Sequence, residues 1–143
     1  MKNIDWLERT ELLLHPEGMK NLREANVLVV GLGGVGSFAA EFMARAGVGK
    51  MTIVDGDDVD KTNINRQLVA LTTTVGKAKC DIMSERILQI NEEIDLTVIN
   101  EFLNPERMDE VVSEGFDYVL DCIDSIKPKI TLIKVCSLSL IHI

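Results

Sequence analysis

The chain has 143 residues and a mass of 15.9 kDa, which is the size of a single domain. With 46% hydrophobic and 27% charged residues, its composition excludes an intrinsically disordered chain. The 15 basic and 23 acidic residues give a formal charge of −8. This charge disfavours nucleic acid as a partner without excluding it, because the acidic excess is concentrated between residues 101 and 121.

Neither a membrane segment nor an export signal is predicted. No apolar run approaches the ~20 residues that a membrane helix needs, and the acidic residues that flank the first apolar ones do not fit a signal peptide. The three cysteines form no C-x-x-C pair, so the sequence predicts neither a zinc ribbon nor a disulfide framework. We therefore expect a cytoplasmic chain without membrane contacts.

Two regions follow each other along the chain. Residues 1–25 are predicted to form an N-terminal helical segment with a break at residues 15–18, and residues 26–143 an α/β domain. Hydrophobic patterns place strands at residues 26–30, 50–55, 96–99 and 116–121, and helices at residues 37–46, 76–91, 105–114 and 127–139. The polar stretch 56–75 has no clear period, and a loop of this length is usually functional or disordered.

The alternation of strands and helices predicts an α/β fold with a doubly wound, mostly parallel sheet. The expected strand order is 3-2-1-4, the first part of a Rossmann-like fold. Residues 138–143 are apolar and could start a fifth strand. We therefore expect the chain to be the N-terminal part of a longer domain, truncated at its C-terminus.

A glycine-rich turn, G-x-G-G-x-G, joins the first strand of this domain to the next helix through Gly31, Gly33, Gly34 and Gly36. Glycines let the backbone approach a ligand closely, and the helix N-terminus offers free N–H groups and a partial positive charge to phosphate. The turn predicts a nucleotide-binding domain over residues 26–143 but does not say which nucleotide binds. A tight turn without a ligand is the alternative.

Acidic residues follow the second strand. Asp55 ends this strand, where a carboxylate can accept hydrogen bonds from ribose hydroxyls. Of the acidic cluster that comes next, Asp57 is the residue that we expect to face the nucleotide. An NAD enzyme would share these features.

The long loop departs from the pattern of a dehydrogenase. Asn63 and Asn65 place amides in it and Arg66 a guanidinium, and Lys79 follows 13 residues later in the first turn of a predicted helix. Two cations near a nucleotide suit a triphosphate and the charge that develops as pyrophosphate leaves. Ordinary surface charge is the alternative for each cation taken alone.

A second carboxylate site is predicted at the end of the fourth strand, where Asp124 and Ser125 follow Asp121. Magnesium prefers one or two carboxylates together with phosphate oxygens and water, so Asp124 could hold Mg²⁺ against the phosphates. The alternative for Asp124 is the N-cap of the next helix.

Five stretches, in this order, resemble the motifs of the ubiquitin-activating-enzyme-like adenylyltransferases of the ThiF, MoeB and HesA type. They are Gly31 to Gly36, Asp55-Gly56-Asp57, Asn63-Ile64-Asn65-Arg66-Gln67, Gly76-Lys77-Ala78-Lys79 and Asp121-Cys122-Ile123-Asp124. Within this superfamily the chain is most similar to the tRNA threonylcarbamoyladenosine dehydratases, which share Lys127-Pro128-Lys129 with it. Members that activate sulfur carriers usually lack this Lys-Pro-Lys.

The resemblance implies an enzyme that uses ATP and Mg²⁺ to activate the threonyl carboxylate of N6-threonylcarbamoyladenosine in tRNA. Ring closure with loss of AMP would follow, and no protein nucleophile would be needed. The implied partners are the tRNA, a second copy in a homodimer and a cysteine desulfurase or sulfur relay. Implied catalytic residues are Arg66, Lys79, Asp124 and Arg9, the last reaching across a dimer to the partner's phosphates. Implied nucleotide contacts are Arg66, Lys79 and Asp124, the last as the Mg²⁺ ligand, together with Gly31, Gly33, Gly34, Gly36, Asp55, Asp57, Asn63, Asn65 and Ser125.

Two other functions stay open at this point. An adenylyltransferase that activates the C-terminal glycine of a ubiquitin-like sulfur-carrier protein, in molybdopterin or thiamine biosynthesis, would share all five motifs. A nucleotide-sensing domain without catalysis would bind the nucleotide and not turn it over.

Overall fold

The computed structural model describes residues 5–139 and 141–143. Nine elements follow in chain order: α1 (Glu8–Glu24), β1 (Asn26–Val30), α2 (Gly36–Ala46), β2 (Lys50–Val54), α3 (Lys79–Ile90), β3 (Asp95–Ile99), α4 (Pro105–Ser113), β4 (Tyr118–Asp121) and α5 (Ile126–Leu138). Short 3₁₀ turns lie at Asp5–Leu7 and Lys61–Asn63. Residues 1–4 of the predicted N-terminal helical segment lie outside the described residues.

The four strands form one parallel sheet in the order β3-β2-β1-β4, which confirms the predicted α/β fold and its strand order. Side chains of β1 alternate between two hydrophobic clusters. Val27 and Val29 join the cluster under α2 and α3, whereas Leu28 and Val30 join the cluster under α4 and α5. Because helices cover both faces, the β-branched run of β1 is buried on both sides.

The helix predicted over residues 76–91 begins three residues late, at Lys79. Residues 76–78 instead run antiparallel to the segment after β2: the N–H of Val59 donates to the carbonyl of Lys77 at 2.8 Å, and Asp58 pairs with Ala78. Gly76 has a φ of +82°, which turns the chain into this pairing. The late start places Lys79 at the helix N-terminus, against the end of β2.

The break predicted in the N-terminal helical segment is confirmed within α1. His15 has a φ of 58° and a ψ of 170°, and Pro16 follows it. Proline disfavours a helical conformation in the residue before it, which accounts for the position of the kink.

Among the described residues, the predicted start of a fifth strand forms a single bridge beside β4. The backbone N–H of Val119 donates to the carbonyl of His142 at 2.9 Å, and Tyr118 pairs with His142 in the parallel direction. The rings of these two residues meet edge to face, with centroids 5.4 Å apart. The C-terminal segment thus lies along the free edge of β4.

None of the helices in residues 5–139 is long and apolar enough to cross a bilayer.

Candidate nucleotide-binding site

A cavity of about 610 Å³ opens at the carboxyl ends of β1, β2 and β4. In a doubly wound sheet this edge is where ligands bind. The predicted site residues that line it are Gly31, Gly33, Gly34, Asp55, Asp57, Arg66, Lys79, Asp124 and Ser125. Residues from all five motif stretches thus meet at one cavity.

The glycine-rich turn has two kinds of glycine. Gly31 has a φ of +97°, and a Cβ there would lie 2.7 Å from the carbonyl oxygen of Cys122, so the protein's own packing requires glycine at this position. A Cβ on Gly33 would have Gln67 Nε2 at 3.8 Å as its nearest neighbour, and one on Gly34 would meet Arg66 at 3.4 Å. Packing therefore leaves room at Gly33, and the absence of a side chain there suits a closely approaching ligand.

Asp55 is buried at the end of β2, and both of its carboxylate oxygens accept backbone hydrogen bonds. The N–H of Leu32 donates to Oδ2 at 2.6 Å, and the N–H of Asp57 donates to Oδ1 at 2.7 Å. A carboxylate offers about four lone-pair directions, so Asp55 can still accept hydrogen bonds from ribose hydroxyls. Asp55 consequently fixes the glycine turn while it faces the cavity.

Lys79 lies in the cavity wall with only 6% of its side chain exposed, and its Nζ is 3.0 Å from Asp57 Oδ2. A lysine this deeply buried is not ordinary surface charge, so that alternative is wrong for Lys79. Its position as the first residue of α3 adds the helix N-terminus to the same positive region.

Arg66 lines the cavity from the long loop, and its Nη1 donates to Asn65 Oδ1 at 2.9 Å and to the carbonyl of Thr62 at 3.2 Å. Asn65 itself is exposed and does not line the cavity. Asn63 is buried away from the cavity, where its Oδ1 accepts the N–H of Asp60 at 3.0 Å and completes a capping box. The two asparagines therefore shape the loop that presents Arg66.

Ser37 joins this loop to the glycine turn. Its buried hydroxyl donates to the carbonyl of Gly33 at 2.6 Å and accepts the N–H of Leu68 at 3.2 Å. Gly36, the residue before it, packs too tightly on the Gly31 carbonyl to accept a side chain and does not line the cavity.

Asp124 faces the cavity from the loop after β4, and Ser125 Oγ lies 3.3 Å from its Oδ1. The N-cap of α5 is Ser125, so the N-cap alternative for Asp124 is wrong. The exposed carboxylate of Asp124 offers oxygen atoms, the type of ligand that Mg²⁺ prefers. Mg²⁺ usually takes one or two carboxylates and completes its coordination shell with phosphate oxygens and water. The described residues contain no group of three or more His, Cys, Asp or Glu side chains that could hold a metal ion.

Arg9 is exposed on α1 and is not part of this cavity. Among the residues that sequence reasoning missed, Gln67 is buried beside Gly33, and its Oε1 has no hydrogen-bond partner among the described residues. A buried amide without a partner is costly, so this atom is available to a ligand. Its place in the Asn63-to-Gln67 motif is the signal that could have identified it. The other missed lining residues include Glu101, Phe102, Leu103, Met108, Asp121, Pro128 and Lys129.

All three cysteines are free, and burial raises the pKa of each thiol. For Cys80 the pKa is raised to about 12. The described cysteines therefore offer no activated thiolate near neutral pH.

The chain is similar in sequence to known proteins. The sequence model of a protein family, described as "ThiF family", matches residues 7–143 of this chain. A tRNA threonylcarbamoyladenosine dehydratase of Haemophilus influenzae is 44% identical over 131 residues, which are 92% of this chain and 50% of that protein. A molybdopterin-synthase adenylyltransferase of Salmonella typhimurium is 39% identical over 110 residues, 77% of this chain and 44% of that protein.

The fold is also similar to a solved structure. The crystal structure of the E. coli tRNA N6-threonylcarbamoyladenosine dehydratase in complex with ATP superposes with a TM-score of 0.94 at 43% identity. The match covers 99% of this chain and 60% of that one. The chain spans about half the length of the curated relatives that it matches.

Proposed function

The chain belongs to the ThiF family, and on this premise we propose that it carries the ATP-binding and adenylating chemistry of a tRNA threonylcarbamoyladenosine dehydratase. The observation that carries the proposal is the cavity in which Arg66, Lys79 and Asp124 lie opposite the glycine turn. The similarity to a dehydratase crystallised with ATP supports the same conclusion.

In the proposed reaction, a carboxylate oxygen of the threonyl group attacks the α-phosphorus of ATP. The bond to the bridging oxygen breaks, pyrophosphate leaves, and an acyl-adenylate forms. The carbamoyl group of the same modified adenosine then attacks the activated carbonyl, expels AMP and gives up a proton as the ring closes. Water is thereby removed from the substrate at the expense of ATP, and no thiol takes part, which agrees with the raised thiol pKa values.

The chain's own residues supply binding and charge. Backbone N–H groups after β1 face the phosphates, and Arg66 and Lys79 offset the negative charge that grows on the departing pyrophosphate. Asp55 would accept hydrogen bonds from the ribose hydroxyls, and Asp57 would face the nucleotide beside Lys79. Because Lys79 is held by Asp57 at 3.0 Å, the amine is already oriented in the cavity wall before a ligand arrives.

The charge of the cavity favours a metal-bound nucleotide. Five carboxylates line it, those of Asp55, Asp57, Glu101, Asp121 and Asp124, against three cations, those of Arg66, Lys79 and Lys129. A bare triphosphate would meet a net negative wall. When bound by Asp124, Mg²⁺ would neutralise phosphate charge.

We assign the second copy of a homodimer to the exposed face of α2. Val35, Phe38 and Phe42 lie three and four residues apart, so they form one stripe, and 72%, 40% and 60% of their surfaces are exposed. The stripe begins beside the glycine turn. Arg9 does not line the cavity of its own chain, so its implied phosphate contact needs a partner copy.

The tRNA would approach away from α4, whose Glu106, Asp109 and Glu110 are exposed and repel phosphate. A cysteine desulfurase or sulfur relay stays a predicted partner. The described cysteines offer no reactive thiolate that could accept sulfur from it. The second candidate function is activation of a sulfur-carrier protein, which the 39% identity to a molybdopterin-synthase adenylyltransferase favours.

ATP–pyrophosphate exchange by the full chain tests the proposal. We expect exchange that requires tRNA carrying threonylcarbamoyladenosine. Exchange that requires a sulfur-carrier protein would establish the second candidate instead, and nucleotide binding without exchange under either condition would indicate a sensing domain.

Asp124→Ala is the matching variant. It should abolish magnesium-dependent exchange and leave the circular-dichroism spectrum unchanged, because the side chain of Asp124 is exposed. Asp58→Ala removes an exposed carboxylate that does not line the cavity and serves as the control. Normal exchange in Asp124→Ala would remove the metal assignment.

A further inference from the structure

The Lys-Pro-Lys stretch after Asp124 has no role in the chemistry described so far. In the structure Pro128 and Lys129 line the cavity from the first turns of α5. Lys129 Nζ donates to Asp121 Oδ2 at 2.7 Å, and 37% and 14% of the two side chains are exposed. An ion pair therefore joins the start of α5 to the end of β4, on the two sides of the loop that holds Asp124.

Both ends of this loop are fixed. The other oxygen of Asp121 accepts the N–H of Ile123 at 3.1 Å, and the N–H of Cys122 donates to the carbonyl of Val30 at 3.0 Å. On the α5 side, the N–H of Lys129 donates to the carbonyl of Ser125 at 3.2 Å. Residues 122–125 thus run between two anchors, and Lys129 takes part in both.

Asp124 differs from Asp121 in its partners. Its carboxylate is exposed, and Ser125 Oγ at 3.3 Å is the one side-chain partner among the described residues. The direction of this carboxylate is consequently set by the backbone of the loop. Asp121 is mostly buried, and its charge is offset by Lys129.

We propose that Lys129, through its ion pair with Asp121, is a positioning residue that directs the nucleotide's divalent cation to Asp124. The pair holds the ends of the loop that aims Asp124. The inference rests on the proposed function, because it needs a magnesium-bound nucleotide in the cavity. Mutation of a residue that orients a metal ligand typically lowers metal affinity or activity by about tenfold to a hundredfold.

Calorimetric binding of ATP over a range of Mg²⁺ concentrations, and of AMP without metal, tests this in the full chain. In Lys129→Met we expect the Mg²⁺ concentration for half-maximal ATP binding to rise by about tenfold to a hundredfold, while AMP affinity stays unchanged. Asp121→Asn should give the same shift, and the double variant no more than either alone, since both remove one interaction. Lys129→Arg keeps the positive charge and should keep the Mg²⁺ concentration for half-maximal ATP binding close to that of the parent.

Lys134→Met is the control, because Lys134 is exposed on the same helix and does not line the cavity. Unchanged magnesium dependence in Lys129→Met overturns the proposal. An equal loss of AMP and ATP binding, or failure of both single variants to fold, also overturns it, because the pair is then only structural. If the parent chain does not bind ATP, the proposed function fails. If the parent binds ATP and Lys129→Met shows the same magnesium dependence, only the role of Lys129 fails.

Discussion

The carboxylate of Asp55 holds the glycine turn through Leu32, whose backbone N–H donates to its Oδ2 at 2.6 Å. The second oxygen accepts the N–H of Asp57 at 2.7 Å. One buried side chain therefore connects the loop after β1 with the loop after β2. The residue expected to bind ribose also builds the wall in which the ribose would lie.

Asp55→Asn should lower both stability and nucleotide affinity. An asparagine keeps the shape but presents an NH₂ group to one of the two N–H donors, so one hydrogen bond is lost and the other is no longer charge-assisted. We expect a loss of about 1.5–3 kcal/mol in the free energy of unfolding, measured by urea denaturation. Asp58→Asn, at an exposed carboxylate, should change stability by no more than about 0.5 kcal/mol. Equal stability of the two variants would contradict the role assigned to Asp55.

Gly31→Ala and Gly76→Ala separate backbone strain from steric contact. Both glycines have positive φ values, +97° and +82°, so alanine is strained at each by about 1–2 kcal/mol. At Gly76 the new Cβ meets no described atom within 4 Å, whereas at Gly31 it lies 2.7 Å from a Cys122 backbone oxygen. In urea denaturation, Gly31→Ala should therefore lower the free energy of unfolding by about 1–3 kcal/mol more than Gly76→Ala does. Similar losses would show that residue 122 moves away easily.

Much of the fold was predictable because its signals are local. The apolar runs of β1 and β2 and the Asn104-Pro105 start of α4 depend on neighbouring residues, and the structure has them where predicted. The start of α3 was not predictable in this way. Residues 76–78 pair with a segment almost 20 residues earlier, and only the folded chain brings the two together.

The site was predictable at its ligand-facing backbone and less so at its side chains. The glycine turn, which follows β1, and Lys79, in the first turn of α3, both line the cavity. Asn63 shares a motif with Arg66, yet its side chain caps a 3₁₀ turn instead. Lys129 was missed because its pairing with Asp121 is a tertiary contact between a helix and a strand end.

Arg66→Ala should lower kcat for exchange and leave the KM for ATP nearly unchanged. Arg66 is exposed at the cavity and is expected to stay hydrated when ATP binds. Its contact with the phosphates strengthens as negative charge builds on the leaving pyrophosphate, so the contact stabilises the transition state more than the bound ATP. The expected decrease in kcat is about a hundredfold, comparable with removing one donor from an oxyanion site. Lys61→Ala removes an exposed cation of the same loop that does not line the cavity. A change confined to KM would indicate that Arg66 only binds ATP.

A buried carboxylate also connects α2 to α3, the two helices that cover one face of the sheet. Glu41 has 9% of its side chain exposed and accepts hydrogen bonds from Arg86 Nε and, at 2.8 Å, from Arg45 Nε. The hydrogen bond from Arg86 is the main reason why the pKa of Glu41 lies below its usual 4.5, and burial opposes the shift. The folded state therefore favours the charged form of Glu41.

This shift predicts a pH-dependent contribution to stability. Because the pKa of Glu41 is lower in the folded than in the unfolded chain, its contribution is fully present above pH 4.5 and is lost as the pH falls through the folded pKa. Glu41→Gln should cost about 1 kcal/mol at pH 7, since both arginines stay partly solvated, and the difference from the parent should shrink steadily below pH 4.5 in urea denaturation. Glu92→Gln, at an exposed carboxylate, is the control and should change stability at pH 7 by no more than about 0.5 kcal/mol. A difference between Glu41→Gln and the parent that is the same at pH 7 and at pH 3 would mean that Glu41 stabilises the helix pair by packing and not by charge.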